Sequence, residues 1–169
     1  MLAVARGDMR AFEQIVRRHQ SFAWSIAFRF IQNREIAEDL VQDAFLKLLT
    51  AAPNYRPTAT FRTYFSCILS RLCLDHLGKK RPIPCDELPD MEDPTPHPDR
   101  QLIIEEETVA LKAAIALLPP NQRLAIILRY YENYNYREIA EALETTEKAV
   151  ERLLARGRAT LGNILKDWG

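Results

Sequence analysis

Glycine is scarce in this chain, 5 residues in 169, and no run of β-branched residues alternates with polar ones. A sheet protein is built on such alternation, so the expected fold class is all-α. No apolar run approaches the roughly 18 residues of a membrane span, and the N-terminus lacks a signal-peptide pattern. Cysteine is limited to Cys67, Cys73 and Cys85, an odd number without paired spacing. That excludes a disulfide scaffold and points to a reducing, cytoplasmic location. Cys73, His76, Cys85 and His97 fit no zinc-ligand spacing, so neither metal nor other cofactor is expected. His19, His76 and His97 converge with carboxylates on no catalytic motif, which argues against an enzyme and a small-molecule substrate.

A net excess of positive charge is also missing, since 23 Lys and Arg balance 23 Asp and Glu. The balance is uneven along the chain. Residues 1–81 hold 13 basic against 7 acidic side chains, a net of +6. Residues 82–108 hold 1 against 9, a net of −8, and residues 109–169 hold 9 against 7, a net of +2. Two basic modules flanking an acidic connector suit a polyanionic partner better than the total suggests.

Tyr136 to Arg158 organises the second module. Tyr136, Ile139, Ala140 and Leu143 recur at i, i+3, i+4 and i+7, one face of a short helix. Asn135 with Glu138 three residues on forms a start signal that satisfies orphan backbone donors reciprocally. Thr146 can cap a second helix, whose stripe is Val150, Leu153, Leu154, Gly157 and Leu161. Lys148, Glu151, Arg152, Ala155 and Arg156 share the opposite face, from the first turn onward. An ordinary helical hairpin would carry the same stripes. The basic face favours a helix-turn-helix, whose second helix meets base edges and phosphates in this way.

The first module reads as three helices. Asp8 can cap the first, with Phe12, Ile15, Val16, His19, Phe22, Ala23, Ile26, Ala27 and Phe30 inward, His19 as a packed residue. Asn33 starts the second, with Ala37, Leu40, Val41, Ala44, Phe45, Leu48 and Leu49 inward. Its outer face offers Glu38, Asp39, Gln42, Asp43 and an exposed Leu46, a mixture that suits a protein partner. Pro53 to Thr60 is a loop, fit to hold an unstacked base or simply to connect. The third helix places Phe61, Tyr64, Phe65, Ile68, Leu69, Leu72 and His76 inward, and Lys79, Lys80 and Arg81 at its end suit the dipole or a nucleic acid. Between the modules, Pro82 to Pro98 holds six of the chain's 10 prolines among acidic residues, an extended linker. A helix from about Leu102 to Leu118 and another from about Asn121 to Tyr131 precede the helix-turn-helix.

With both modules placed, the sequence resembles the group IV, extracytoplasmic-function sigma factors of bacterial RNA polymerase. GDMRAFEQIVRRH (7–19), AEDLVQDAFLKLL (37–49) and FRTYFSCILSRLCLDHLGKKR (61–81) resemble the family's second region. LLPPNQRLAIILRYYENYNYREIAEAL (117–143) and TTEKAVERLLARGR (145–158) resemble its fourth. The resemblance implies two small helical domains, 1–81 (region 2) and 102–169 (region 4), joined by a linker at 82–101. It implies that Asp39, Gln42, Asp43 and Leu46 dock on the clamp helices of the largest subunit of core RNA polymerase. Asn54, Tyr55, Arg56, Thr58, Arg62, Tyr64 and Arg71 would capture the −10 element of promoter DNA. Lys148, Glu151, Arg152, Ala155 and Arg156 would read the −35 element. The linker would thread toward the polymerase active site. An anti-sigma factor, membrane-anchored, would hold the protein inactive at the inner face of the membrane.

Four positions depart from the family pattern. Tyr64 stands where a Trp is usual, Arg71 where an Asn is usual, and Glu144 where the turn carries Gly. Glu151 stands where a basic or small polar residue is frequent. A sigma-like mimic that binds only an anti-sigma factor is one alternative; it lacks a use for the basic face of the last helix. A free-standing helix-turn-helix regulator is another, and leaves the 37–49 helix without a role.

Overall fold

In the computed structural model, which describes residues 1–78 and 104–167, six of the α-helix starts can be traced to a capping side chain or a proline. Helix α1 (Met9–Ile31) begins where Asp8 accepts from the Ala11 amide at 3.0 Å. Helix α2 (Arg34–Ala51) begins where Asn33 accepts from the Ile36 amide at 3.0 Å. Helix α3 (Phe61–His76) is capped by Thr60, which accepts from the Thr63 amide at 3.2 Å. Each cap satisfies one of the orphan amides of a first helical turn. The Pro53–Thr60 stretch is a loop as expected, except that Ala52–Asn54 forms a single 3-10 turn, where the fixed φ of Pro53 fits.

The second half holds α4 (Ile104–Leu117), α5 (Pro120–Tyr130), α6 (Tyr136–Ala142) and α7 (Glu147–Asp167). Pro120 is the first residue of α5, a position whose amide has no helical partner to lose. Asn135 and Glu138 cap α6 reciprocally, both bonds at 2.9 Å. Thr146 accepts from the Ala149 amide at 3.2 Å and so starts α7. The acidic linker expected at 82–101 lies outside the described residues, as do Lys79, Lys80, Arg81, Cys85 and His97. No strand occurs among the described residues, and none of their helices is long and apolar enough to cross a membrane.

The expected stripes are the buried ones: Ala23, Ile26, Ala27 and Phe30 on α1, Ala37 to Leu48 on α2, Val150, Leu153 and Leu154 on α7. His19 packs its ring on Phe61, centroids 4.5 Å apart. Burial, with Arg18 and Arg62 adding to it, holds that imidazole's pKa below its ordinary value. Gly157 admits α5 closely, since a Cβ there would stand 3.0 Å from Ile126 Cγ1.

Helix α3 differs from the sequence reading. His76 is exposed, and a second face is buried as well, formed by Thr63, Ser66, Ser70 and Cys73 at i, i+3, i+7 and i+10. Helix α3 packs against α2 on one side and α6 on another, and α1 packs against α5. The two helical units therefore share one continuous core, from Phe30 and Leu69 to Leu124, Ile139 and Leu154. Small side chains at four spaced positions let α6 approach.

Candidate nucleic-acid and polymerase surfaces

On α2, the buried stripe fixes what faces outward. Asp39, Gln42, Asp43 and Leu46 are all exposed, and Leu46 keeps 60% of its surface in solvent. A shallow groove lined by Asp43, Leu46, Lys47, Thr50 and Ala51 continues this face. An apolar side chain held out between carboxylates can insert into an apolar pocket rimmed by cations.

Asn54, Tyr55, Arg56 and Thr58 lie in the loop before α3, and Arg62, Tyr64 and Arg71 on α3 itself, where Arg62 and Arg71, nine residues apart, leave from opposite sides. Asn54, Arg56 and Thr58 are exposed. Tyr55 meets Tyr64 edge-on, centroids 5.0 Å apart, and both rings are half-buried. Burial raises the Tyr64 hydroxyl's pKa, with Cys67 and Tyr55 adding to it, so the group stays a neutral donor at physiological pH. Arg62 and Arg71 are engaged by the second unit. Arg62 donates to Glu132 at 2.9 Å and lies over the Phe22 ring at 4.3 Å. Arg71 donates from Nε to Glu144 at 3.2 Å, and its Nη2 contacts both oxygens of that carboxylate. The hydrogen bond to Glu144, then its charge, raises the guanidinium's pKa.

On α7, Lys148, Glu151 and Ala155 are exposed, whereas Arg152 and Arg156 are half-buried. All five line one face of the helix, opposite Val150, Leu153 and Leu154. Arg158 donates to the Tyr130 hydroxyl at 3.3 Å.

The turn between α6 and α7 settles how a residue other than glycine is accommodated. Glu144 takes φ +53°, the left-handed conformation, despite its Cβ. The Glu144 amide donates to Glu141 O at 3.3 Å and the Thr145 amide to Ala140 O at 2.9 Å, the two bonds that close a helix C-terminus in this geometry.

Sequence reasoning missed Glu132, Tyr134 and Arg123. Glu132 is nearly buried, with 9% of its side chain exposed, and accepts from Ser25 Oγ at 3.3 Å as well as from Arg62. The Tyr134 hydroxyl shares a buried hydrogen bond of 2.9 Å with Ser66. Arg123 donates to three carbonyls, Phe30 O at 2.8 Å, Leu118 O at 3.1 Å and Ala116 O. All three lie in the 117–143 stretch, but the helical stripes give them no role there; each matters only once α1 and α3 meet α5 and α6. The thiols of Cys67 and Cys73 are pushed up to about 11 and about 12, chiefly by burial, which leaves both as unreactive thiols at neutral pH.

Family models for Sigma-70 region 2 and Sigma-70 region 4 match residues 15–83 and 108–161. The chain is 31% identical over 165 residues to the ECF RNA polymerase sigma factor SigM of Mycobacterium tuberculosis, covering 98% of this chain and 82% of the relative. It is 31% identical over 168 residues to SigE of Mycolicibacterium smegmatis, where it spans 95% of its own length but only 65% of the relative's. Among solved structures, CnrH in complex with the cytosolic domain of CnrY matches with a TM-score of 0.73 at 24% identity, over 98% of this chain and 94% of that one. RpoE of Bartonella quintana, in complex with the anti-sigma factor NepR, matches with a TM-score of 0.63 at 20% identity, over 93% and 98%. These two share the fold.

Proposed function

The chain belongs to the extracytoplasmic-function sigma factors of the sigma-70 family, and from that premise we propose how its surfaces divide the work of promoter recognition. A sigma factor is a specificity subunit of transcription initiation and not an enzyme; it binds core RNA polymerase and promoter DNA. In this protein Asp39, Gln42, Asp43 and Leu46 dock on the clamp helices of the largest polymerase subunit. The loop Asn54–Thr58 with Arg62, Tyr64 and Arg71 captures the −10 element, and Lys148, Glu151, Arg152, Ala155 and Arg156 read the −35 element. Region 2 spans 1–81, the linker 82–101 and region 4 102–169. The observation that carries this division is the outer face of α2, which exposes Leu46 among acidic neighbours while Ala37, Leu40, Val41, Ala44, Phe45 and Leu48 on the opposite face are core.

An anti-sigma factor holds the protein inactive at the inner, cytoplasmic face of the membrane. Two structural neighbours support the anti-sigma partner, though they say nothing of the membrane: RpoE was solved with an anti-sigma factor, and CnrH with the cytosolic domain of CnrY. The function is tested by transcribing fragmented genomic DNA with core polymerase, with and without the purified chain, and sequencing the 5′ ends. Defined start sites that appear only with the chain are expected. Their absence rejects the reading.

The −35 surface makes a narrower prediction. Arg152 and Arg156 stand four residues apart, so their heads reach neighbouring groups in one groove. Loss of a bidentate guanine contact in Arg152→Ala or Arg156→Ala costs about 1–3 kcal/mol and relaxes preference at one base pair. Loss of a phosphate contact weakens binding to all sequences and flattens the salt dependence. Promoter titrations of holoenzyme at several salt concentrations separate the two. An unchanged curve for either variant removes that residue from the surface.

A further inference from the structure

The surfaces above leave the residues ahead of α1 without a role, yet those residues are folded and held. Val4–Arg6 form a 3-10 turn, in which the Arg6 amide donates to Ala3 O at 3.0 Å and the Ala5 amide to Met1 O at 2.9 Å. Gly7 then takes φ +89°, a left-handed conformation that a residue with a Cβ rarely adopts, and its amide donates to Val4 O at 2.9 Å. The Asp8 amide donates to Ala3 O at 3.1 Å, while the Asp8 side chain caps α1. This reversal folds the Val4–Arg6 turn against the 3-10 turn Ala52–Asn54 at the end of α2. Val4 is the buried member of the first turn and Ala52 of the second, 5% and 1% exposed. The loop assigned to −10 capture leaves directly from that second turn, with the Tyr55 amide donating to Ala52 O at 3.1 Å. At its far end Thr60 caps α3 and shares a 2.8 Å hydrogen bond with the Thr63 hydroxyl. Arg56, Pro57 and Thr58 stay exposed between these anchors.

We propose that the turn ahead of α1 is a positioning element for −10 capture: Val4, aimed by the left-handed Gly7, pins the Ala52 turn and so holds the Asn54–Thr58 loop in the shape that receives an unstacked base. The consequence for promoters rests on the −10 assignment of the loop; the pinning does not. Tyr55 against Tyr64 and the Thr60 cap fasten the loop to α3, its neighbour in sequence. The Val4 turn fastens the other foot and is brought in from a distant part of the chain. A loop ordered before it meets its ligand loses less conformational freedom on binding, so more of the contact energy is left to hold a base out of its stack. Val4 and Gly7 act through Ala52 and need not touch DNA. A Cβ built on Gly7 meets nothing within 4 Å, so a substitution there acts through the backbone and not through a clash. Asn, which tolerates the left-handed region, is the conservative replacement.

The test uses the full chain carrying Gly7→Val, Val4→Ala or Gly7→Asn. In hydrogen exchange, the Tyr55 and Thr58 amides of Gly7→Val and Val4→Ala are expected to exchange about tenfold faster than in the wild type, with the amides of α2 and α3 unchanged. Gly7→Asn is expected to keep wild-type exchange. In holoenzyme, on a promoter found by the transcription assay above, Gly7→Val and Val4→Ala are expected to slow strand opening about tenfold at saturating concentration. The concentration for half-maximal opening is expected to stay the same. A mere loss of folded protein would instead lower the amplitude at an unaltered rate. Tyr55→Ala is the control for the loop's own role. Unchanged exchange in both Gly7→Val and Val4→Ala overturns the pinning. Faster exchange with wild-type opening overturns the positioning role. If Tyr55→Ala then opens slowly, the loop captures its base without help from the turn; if it too opens at the wild-type rate, the −10 assignment itself has failed.

Discussion

Replacing Asp39, Gln42 and Leu46 together by Ala is expected to leave folding intact and abolish co-purification with core RNA polymerase. All three side chains point away from the stripe Ala37, Leu40, Val41, Ala44, Phe45 and Leu48 that fastens α2 to the core. Alanine is also the best helix former, so α2 gains intrinsic propensity. Docking would bury Leu46, worth about 2 kcal/mol for a side chain of that size. The two polar groups add about 1 kcal/mol each, more where a cation faces Asp39. A total of about 4 kcal/mol corresponds to roughly a thousandfold in affinity, enough to empty the complex at micromolar concentrations. The check is a pull-down with tagged core enzyme beside a thermal melt. Retention of the triple variant on core enzyme, with a native melt, removes this face from the polymerase interface.

Local chemistry carried most of the fold into the sequence. Asp8, Asn33, Asn135 and Thr146 are all caps in the structure, because a short polar side chain before an amphipathic run has one favourable use there. The stripes of α2, α6 and α7 were legible because their buried positions are filled mainly by apolar residues at the helical period. Helix α3 was only half legible. Its aromatic stripe follows the helical period, but Thr63, Ser66 and Ser70 are polar and small, and their burial depends on α6 lying across them. No local pattern announces a partner 70 residues away. The same holds for Glu132 and Glu144, which read as surface charges until Arg62 and Arg71 stand opposite. At Glu144 the backbone preference for glycine was legible, yet the chain adopts φ +53° regardless. Two backbone hydrogen bonds and the grip on Arg71 outweigh the crowding of one Cβ.

Arg123→Met is expected to be the most destabilising single change at a polar residue of the second unit. The guanidinium sits where two helix ends converge: Ala116 and Leu118 O close α4, and Phe30 is the last residue but one of α1. Carbonyls at a helix C-terminus carry partial negative charge and lack intrahelical donors, so a cation there satisfies both needs. Its Cζ also lies 5.3 Å from the Phe30 ring centroid. Desolvation by burial lowers the group's pKa, so part of the gain from its bonds offsets the cost of removing it from water. Methionine fills a similar volume but leaves three carbonyls without their donor. Charge-assisted hydrogen bonds contribute about 1.5–3 kcal/mol each, and partial relaxation recovers some of that loss. A net loss of about 3 kcal/mol is expected, or about 6–12 °C in Tm for a chain of this size. Arg123→Lys keeps the charge but cannot span three acceptors, so it should recover less than half of the loss. Urea denaturation reads both values, with an unchanged slope showing that the native and unfolded ensembles are otherwise comparable. A loss below about 0.5 kcal/mol for Arg123→Met, the range of an ordinary surface change, would show that these carbonyls do not depend on the guanidinium.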